Sequence, residues 1–169
     1  MKSLRILLLA VFALSLLFEG CASFAEMQKD GDTLPKSIEQ GKALVYVVRP
    51  NPHPLLLVIM PFLLIATPTM VFVDDHNPSS LMGITNGSDY IYFGLEPGKH
   101  LIFSSSDRWL VELEVNAVAG EIIYIKQDQF MLIWSQRNYL SVINKYEGKY
   151  HVKRLAPGVI MQSDKPKKE

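Results

Sequence analysis

The sequence predicts an all-β domain, an antiparallel β-sandwich of about seven strands, exported behind an N-terminal signal peptide. Three observations predict the sandwich. Short apolar runs rich in Val, Ile, Tyr and Phe recur between residues 43 and 143 at a spacing of roughly ten residues. Turn formers separate them: Gly41-Lys42, Asn77-Pro78, Asn86-Gly87, Pro97-Gly98 and Ala119-Gly120. One run, Leu110-Val111-Glu112-Leu113-Glu114-Val115, alternates apolar and acidic residues with the period of a strand that has one wet face.

The bulk numbers bound the function. The 169 residues carry 17 basic and 17 acidic side chains. Such a balance gives no basic surplus for nucleic acid, and none is expected as a partner. Hydrophobic residues make up 49% of the chain, raised by an N-terminal run and by residues 55–66. Cys21 is the single cysteine, so neither an internal disulfide nor a cysteine-based zinc site can form.

The N-terminus reads as an export signal. Lys2 and Arg5 precede an apolar run over residues 6–18, which is too short to span a bilayer. Gly20-Cys21 follows. A small residue directly before a cysteine at this place resembles the lipobox of bacterial lipoproteins. The resemblance implies that residues 1–20 are removed and that Cys21 carries a diacylglycerol thioether as the first residue of the mature chain. Ala22, where an aspartate would imply inner-membrane retention, directs the expectation to the outer membrane, with the domain facing the periplasm. Two alternatives stay open: cleavage after Ala25, giving a secreted or periplasmic soluble domain, and an uncleaved anchor. Each places the domain outside the cytoplasm.

Residues 21–40 are polar and read as a tether, with a short helix over residues 34–40 as the alternative. The first strand covers residues 43–50; its near-continuous apolar character predicts burial on both faces, and Pro50 ends it. An insertion, residues 51–68, comes next. Its apolar part opens at Leu55, closes at Ala66 and is broken by Pro61. That is short of the roughly 20 residues a spanning helix needs. Three expectations stand: a loop or short helix packed over one end of the domain, a loop dipping into the bilayer surface, or a docking patch for an envelope protein. A second strand, residues 69–75, ends in the turn cluster Asp74-Asp75-His76-Asn77-Pro78, and Leu81-Met82-Gly83-Ile84 is a short strand.

Residues 88–103 are the centre of the pattern, with Tyr90-Ile91-Tyr92-Phe93 and His100-Leu101-Ile102-Phe103 on either side of Glu96-Pro97-Gly98-Lys99. This predicts a β-hairpin whose type II turn has Pro97 at its second position and Gly98 at its third. Strands over residues 110–115 and 121–126 follow, then a β-like stretch over residues 129–143. A last strand is expected at residues 149–155, with a helix over residues 136–147 as the alternative. The domain is thus bounded at residues 41–155, and residues 156–169 are expected to be a disordered tail.

Three pieces, Val45-Tyr46-Val47-Val48-Arg49-Pro50, Leu95-Glu96-Pro97-Gly98-Lys99-His100 and Ala119-Gly120-Glu121-Ile122-Ile123-Tyr124, resemble in order and spacing the DUF2846 family, bacterial domains of unknown function often found in lipoproteins. The resemblance covers about half of the chain. It implies a small β-sandwich related in style to carboxypeptidase-regulatory and PEGA-like domains, and it implies no activity.

Candidate chemistry is sparse. His53, His76, His100 and His151 show no chelating spacing, and no HExxH, G-x-S-x-G, Walker or dinucleotide pattern occurs. No catalytic residue, metal or cofactor is expected. Asp74-Asp75-His76 reads as a turn before it reads as a metal site. Arg49 could hold an anionic ligand, with a rim ion pair as the structural expectation. Pro97, Gly98 and His100 are turn or binding positions, His100 being expected to hydrogen-bond beside Gly98. Tyr90, Tyr92 and Tyr124 could line a glycan-binding face or pack across strands. The expected function is a lipid-anchored envelope sandwich with a non-enzymatic binding or structural role. Its expected partners are the membrane, through Cys21, and an envelope protein or membrane contact through residues 55–66. A glycan- or peptidoglycan-binding module is the alternative; a hydrolase or metalloenzyme would need a cleft joining Asp74, His76 and His100.

Overall fold

The computed structural model describes residues 37–50, 67–106, 109–132 and 135–161, with backbone alone at residues 129–132 and 135–137. The export signal, Cys21, most of the tether and residues 51–66 of the insertion lie outside the described residues. The strands are β1 (Ala43–Arg49), β2 (Thr69–Val73), β3 (Leu81–Thr85), β4 (Asp89–Leu95), β5 (Gly98–Ser106), β6 (Trp109–Ala117), β7 (Ile122–Leu132), β8 (Ser135–Ile143), β9 (Ala156–Pro157) and β10 (Val159–Ile160). A 3-10 turn at Pro78–Ser80 precedes β3, and one α-helix, α1 (Lys145–Arg154), follows β8.

The strands form two sheets that pack as a sandwich. The front sheet has the order β8-β7-β1-β4-β9 and the back sheet the order β10-β3-β2-β5-β6. Most pairings are antiparallel, as expected, but β1–β7 and β4–β9 run parallel. β1 is the spine of the front sheet and is buried along its whole length, which is why its sequence lacks a polar face. One face of β1 gives Val45 and Val47 to the core between the sheets, beside Ile91 and Phe93 of β4 and Ile123 and Ile125 of β7. Val71, Val73, Ile102 and Val115 meet them from the back sheet. The other face gives Leu44, Tyr46 and Val48 to a second cluster with Tyr90, Tyr124 and Val152, the last from α1.

Three sequence expectations are corrected. Residues 88–103 do not make a hairpin: β4 pairs with β1 and β9, whereas β5 pairs with β2 and β6. Glu96-Pro97 carries the chain from one sheet to the other. Pro97 has no N–H for a cross-strand bond. Gly98 takes the positive φ expected of it, but at 140° rather than near the type II value, so the chain continues extended into the facing sheet. Crossing also lets Ile91 and Phe93 face Ile102 across one core.

The second correction is the expected strand at residues 149–155, which is helix α1. The Asn144 side chain accepts hydrogen bonds from the N–H groups of Tyr146 and Glu147, both at 3.0 Å. Glu147 lies in the first turn and His151, Lys153 and Arg154 in the last, each matching the helix dipole. The third is the domain boundary. Beyond residue 155 the chain adds β9 to the front sheet and β10 to the back, so the ordered domain continues through Ile160. Gly83 admits this strap, because a Cβ there would collide with the Val159 carbonyl.

Candidate functional site

Two polar constellations occupy opposite ends of the sandwich. The first grows out of the strand alternation. The inward rows Val45-Val47-Arg49, Thr69-Val71-Val73, Asp89-Ile91-Phe93, Ile102-Ser104-Ser106 and Ile123-Ile125-Gln127 all become polar at the same end. Thr85 and Asn138 join them, and all of these polar side chains are buried.

Their hydrogen bonds tie one sheet to the other. Nη1 of Arg49, on the front sheet, donates to the Thr69 hydroxyl at 3.0 Å and to the carbonyls of Thr67 and Thr85 at 2.9 Å. The Thr85 hydroxyl donates to Gln127 Oε1 at 2.6 Å, and Gln127 Nε2 donates to Ser104 Oγ at 2.6 Å. Asn138 Nδ2 donates to Ser106 Oγ at 3.2 Å. Asp89 lies directly opposite Arg49 in the β1–β4 register. Its Oδ2 accepts from the Asn86 N–H at 2.8 Å, while its Oδ1 and the Oδ1 of Asn138 have no hydrogen-bond donor among the described residues. Burial lowers the pKa of Arg49 and the negative field of Asp89 counters it; a guanidinium stays charged throughout.

Arg49 is therefore no rim residue. At 3% exposure it is a buried cross-link between the sheets, which corrects the expected rim ion pair. It also ties the two ends of the insertion, because Arg49 immediately precedes Pro50 and Thr67 resumes the described chain.

The second constellation lies at the other end, around His100 at the start of β5. Its Nδ1 is 2.8 Å from Asp74 Oδ2 and its Nε2 2.8 Å from the Glu96 carbonyl. Asp74 Oδ1 accepts from the Leu101 N–H at 3.0 Å, and Asp74 holds a positive φ of 65°. Neither acceptor on the ring has a proton to give. Both ring nitrogens must therefore donate, and only the imidazolium can do so. Burial opposes that charge; the hydrogen bonds to Asp74 and Glu96 and the charges of both carboxylates outweigh it, so the pKa is raised.

This sets a pH dependence. His100 contributes stability below its unfolded pKa of about 6.5, and that contribution is lost as pH rises through the raised folded value. His151 has the opposite sign: burial lowers its pKa, so its contribution is present above the unfolded value and lost as pH falls. Residue-resolved NMR titration separates the two. His100 is expected to titrate above 6.5 and to drop in Asp74→Asn; titration at or below that ordinary histidine value in the wild type would refute the doubly donating geometry.

The remaining candidates diverge. Pro97 is exposed in the inter-sheet connection, and Gly98 opens β5. Asp74 serves His100, Asp75 Oδ1 accepts from the Asn77 N–H, and the His76 ring lies 4.2 Å from the Phe103 ring and 5.9 Å from that of Phe72. No group of three His, Cys, Asp or Glu side chains that could hold a metal ion occurs among the described residues. Tyr90 and Tyr124 are buried and Tyr92 packs against their cluster, so the three do not form an open glycan platform. Among the described residues no helix is long and apolar enough to cross a membrane.

Sequence reasoning missed Thr69, Thr85, Asp89, Ser104, Ser106, Gln127 and Asn138. The signal was available: continuing the period-two alternation from Ile123 and Ile125 puts Gln127 in the core. Comparison of the chain with family models, with curated proteins and with solved structures finds no match.

Proposed function

We propose that this chain is a lipid-anchored β-sandwich of the bacterial cell envelope with a non-enzymatic binding or structural role. The observation that carries the reading is Gly20-Cys21 directly after a basic and apolar leader. The disposition of the polar groups supports the second half. Arg49 and Gln127 are spent on holding the two sheets together, His100 has both ring nitrogens engaged, and the His76 ring packs at a tilt against that of Phe103. The resemblance to DUF2846 domains agrees with such a role. Residues 55–66 are the proposed contact element toward a membrane or an envelope protein. The Arg49–Thr67 hydrogen bond joins the described residues on either side of residues 51–66.

The test is palmitate labelling with membrane fractionation in a bacterial host, comparing wild type with Cys21→Ala. Label that vanishes in the variant is the expected result. A variant that becomes soluble makes residues 55–66 a packed or protein-binding element, and one that stays on the membrane with its leader removed makes them a second membrane contact. An unlabelled wild type overturns the lipoprotein reading and leaves a domain cleaved near Ala25.

A further inference from the structure

The balanced composition hides an uneven distribution of charge. α1 carries Lys145, Lys149, Lys153 and Arg154 against a single acidic residue, Glu147. Glu147 turns sideways, 3.8 Å from both Lys126 and His151. The helix packs down on the front sheet through Gly148 and Val152. Helical geometry then puts Tyr146, Tyr150, Lys153 and Arg154 on the outward face, with Lys149 along one flank and Lys145 in the first turn at the exposed end of the packed stripe. Lys145, Tyr146, Lys153 and Arg154 are exposed. The cations lie over the aromatic rings: Lys145 Nζ is 5.1 Å from the centre of Tyr146 and the Arg154 guanidinium 4.4 Å from that of Tyr150. On the back sheet, Glu112 and Glu114 of β6 are exposed, as are Asp74 and Asp75 at the end of β2. The helix is thus a basic and aromatic strip over the front sheet, whereas on the back sheet Glu114 is offset by Lys99 at 3.2 Å.

We propose that the outward face of α1 docks on an anionic phospholipid surface. Charge complementarity selects an anionic partner, and three features select a bilayer over a discrete ligand. The cations are spread along a convex helix rather than gathered in a cleft, which suits a diffuse surface charge. The two tyrosines between them have the amphipathic character that favours the headgroup region. Lysine and arginine stems can lie along the tyrosine rings while their heads reach phosphate. The proposal rests on the membrane-anchored reading above. The chain between Cys21 and Ala43 permits it, since some twenty residues reach up to about 70 Å when extended. That exceeds the roughly 35 Å length of the longest strand, so a domain tethered through Cys21 can lie with its front sheet against the membrane.

The experiment uses residues 34–169 without the lipid anchor. Both sheets, both apolar clusters and α1 fall within residues 37–161, so this piece holds every described element and coincides with one compact unit of the chain, Leu34–Glu169. Co-sedimentation is measured with vesicles of phosphatidylcholine alone and of equal parts phosphatidylcholine and phosphatidylglycerol. Binding is expected on the mixed vesicles only and is expected to fall as salt rises. Lys145→Gln, Lys149→Gln and Lys153→Gln together are expected to weaken it on the order of a hundredfold, each basic residue near a charged surface contributing about fivefold. Glu112→Gln on the opposite side is expected to change nothing. Equal binding to both vesicle types, unaffected by the three substitutions, overturns the proposal and assigns membrane contact to the apolar insertion. Absence of binding to either overturns it as well. Neither result touches the palmitate label at Cys21, so the docking face and the anchor fail separately.

Discussion

Replacing Arg49 with alanine is expected to lower the unfolding free energy by about 3–5 kcal/mol, the usual effect of removing one member of a buried charged cluster. Total stabilities of single domains are about 5–15 kcal/mol, so this is a large fraction. The physical reason has two parts. Thr67, Thr69 and Thr85 each lose a donor at 2.9–3.0 Å, the last two of them buried away from water. Asp89, whose Oδ1 has no donor among the described residues, loses the neighbouring cation. Adding Asp89→Asn to the alanine variant separates the two. If the uncompensated carboxylate dominates, the double variant recovers stability; if the orphaned oxygens dominate, it does not. Arg49→Met restores the stem without the donors and is expected to recover only the packing. Guanidinium chloride unfolding measures the series. A loss under about 1 kcal/mol for Arg49→Ala would mean that water replaces the guanidinium at little cost, and that Arg49 does not lock the sheets.

The fold class was readable because its signal is local. Each strand's period-two pattern reports its own burial, as the fully buried row of β1 and the half-wet row of β6 show. Partner choice is a property of pairs, and there the sequence misled. Pro97-Gly98 between two aromatic runs suits a hairpin, yet nothing local records that β4 is flanked by β1 and β9. α1 was misread for a related reason. Lys145–Arg154 is short and its apolar residues are tyrosine and valine, so β propensity outweighed the capping Asn144 and the basic last turn. The helix exists because Tyr46, Tyr90 and Tyr124 need a cover on the outer face of the front sheet, a requirement set by residues far away in the chain. The inter-sheet polar layer was legible in principle. A buried arginine at the end of an apolar row demands oxygens, and Thr67, Thr69 and Thr85 supply them. Which end of which strand met Arg49 required the topology.

A side chain at position 148 is expected to destabilise the domain, against the sign that helix propensity gives. Alanine or leucine is favoured over glycine inside a helix by up to about 1 kcal/mol. At Gly148, however, a Cβ would overlap Cγ and Cδ1 of Tyr124 and approach its Cβ to 2.6 Å. Tyr124 cannot yield: it is 2% exposed and stacked on Tyr46 at 5.7 Å with an interplanar angle of 13°. Tyr46 is in turn held against Tyr90 and Tyr92 at 6.0 and 5.9 Å. The chain has two ways out. Forcing the rings apart costs about 1–3 kcal/mol for each overpacked site. Lifting α1 exposes Val152, whose burial contributes about 1.5–3 kcal/mol. Set against the propensity gain, the cheaper route leaves Gly148→Leu with an expected net loss of about 1–2 kcal/mol, and Gly148→Ala with less. Denaturant unfolding gives the magnitude, and loss of the near-ultraviolet tyrosine signal reports disturbance of the ring cluster. Because leucine is a strong helix former, a gain in stability with either residue would mean that α1 does not seat on Tyr124, and the sign alone decides between local propensity and tertiary packing.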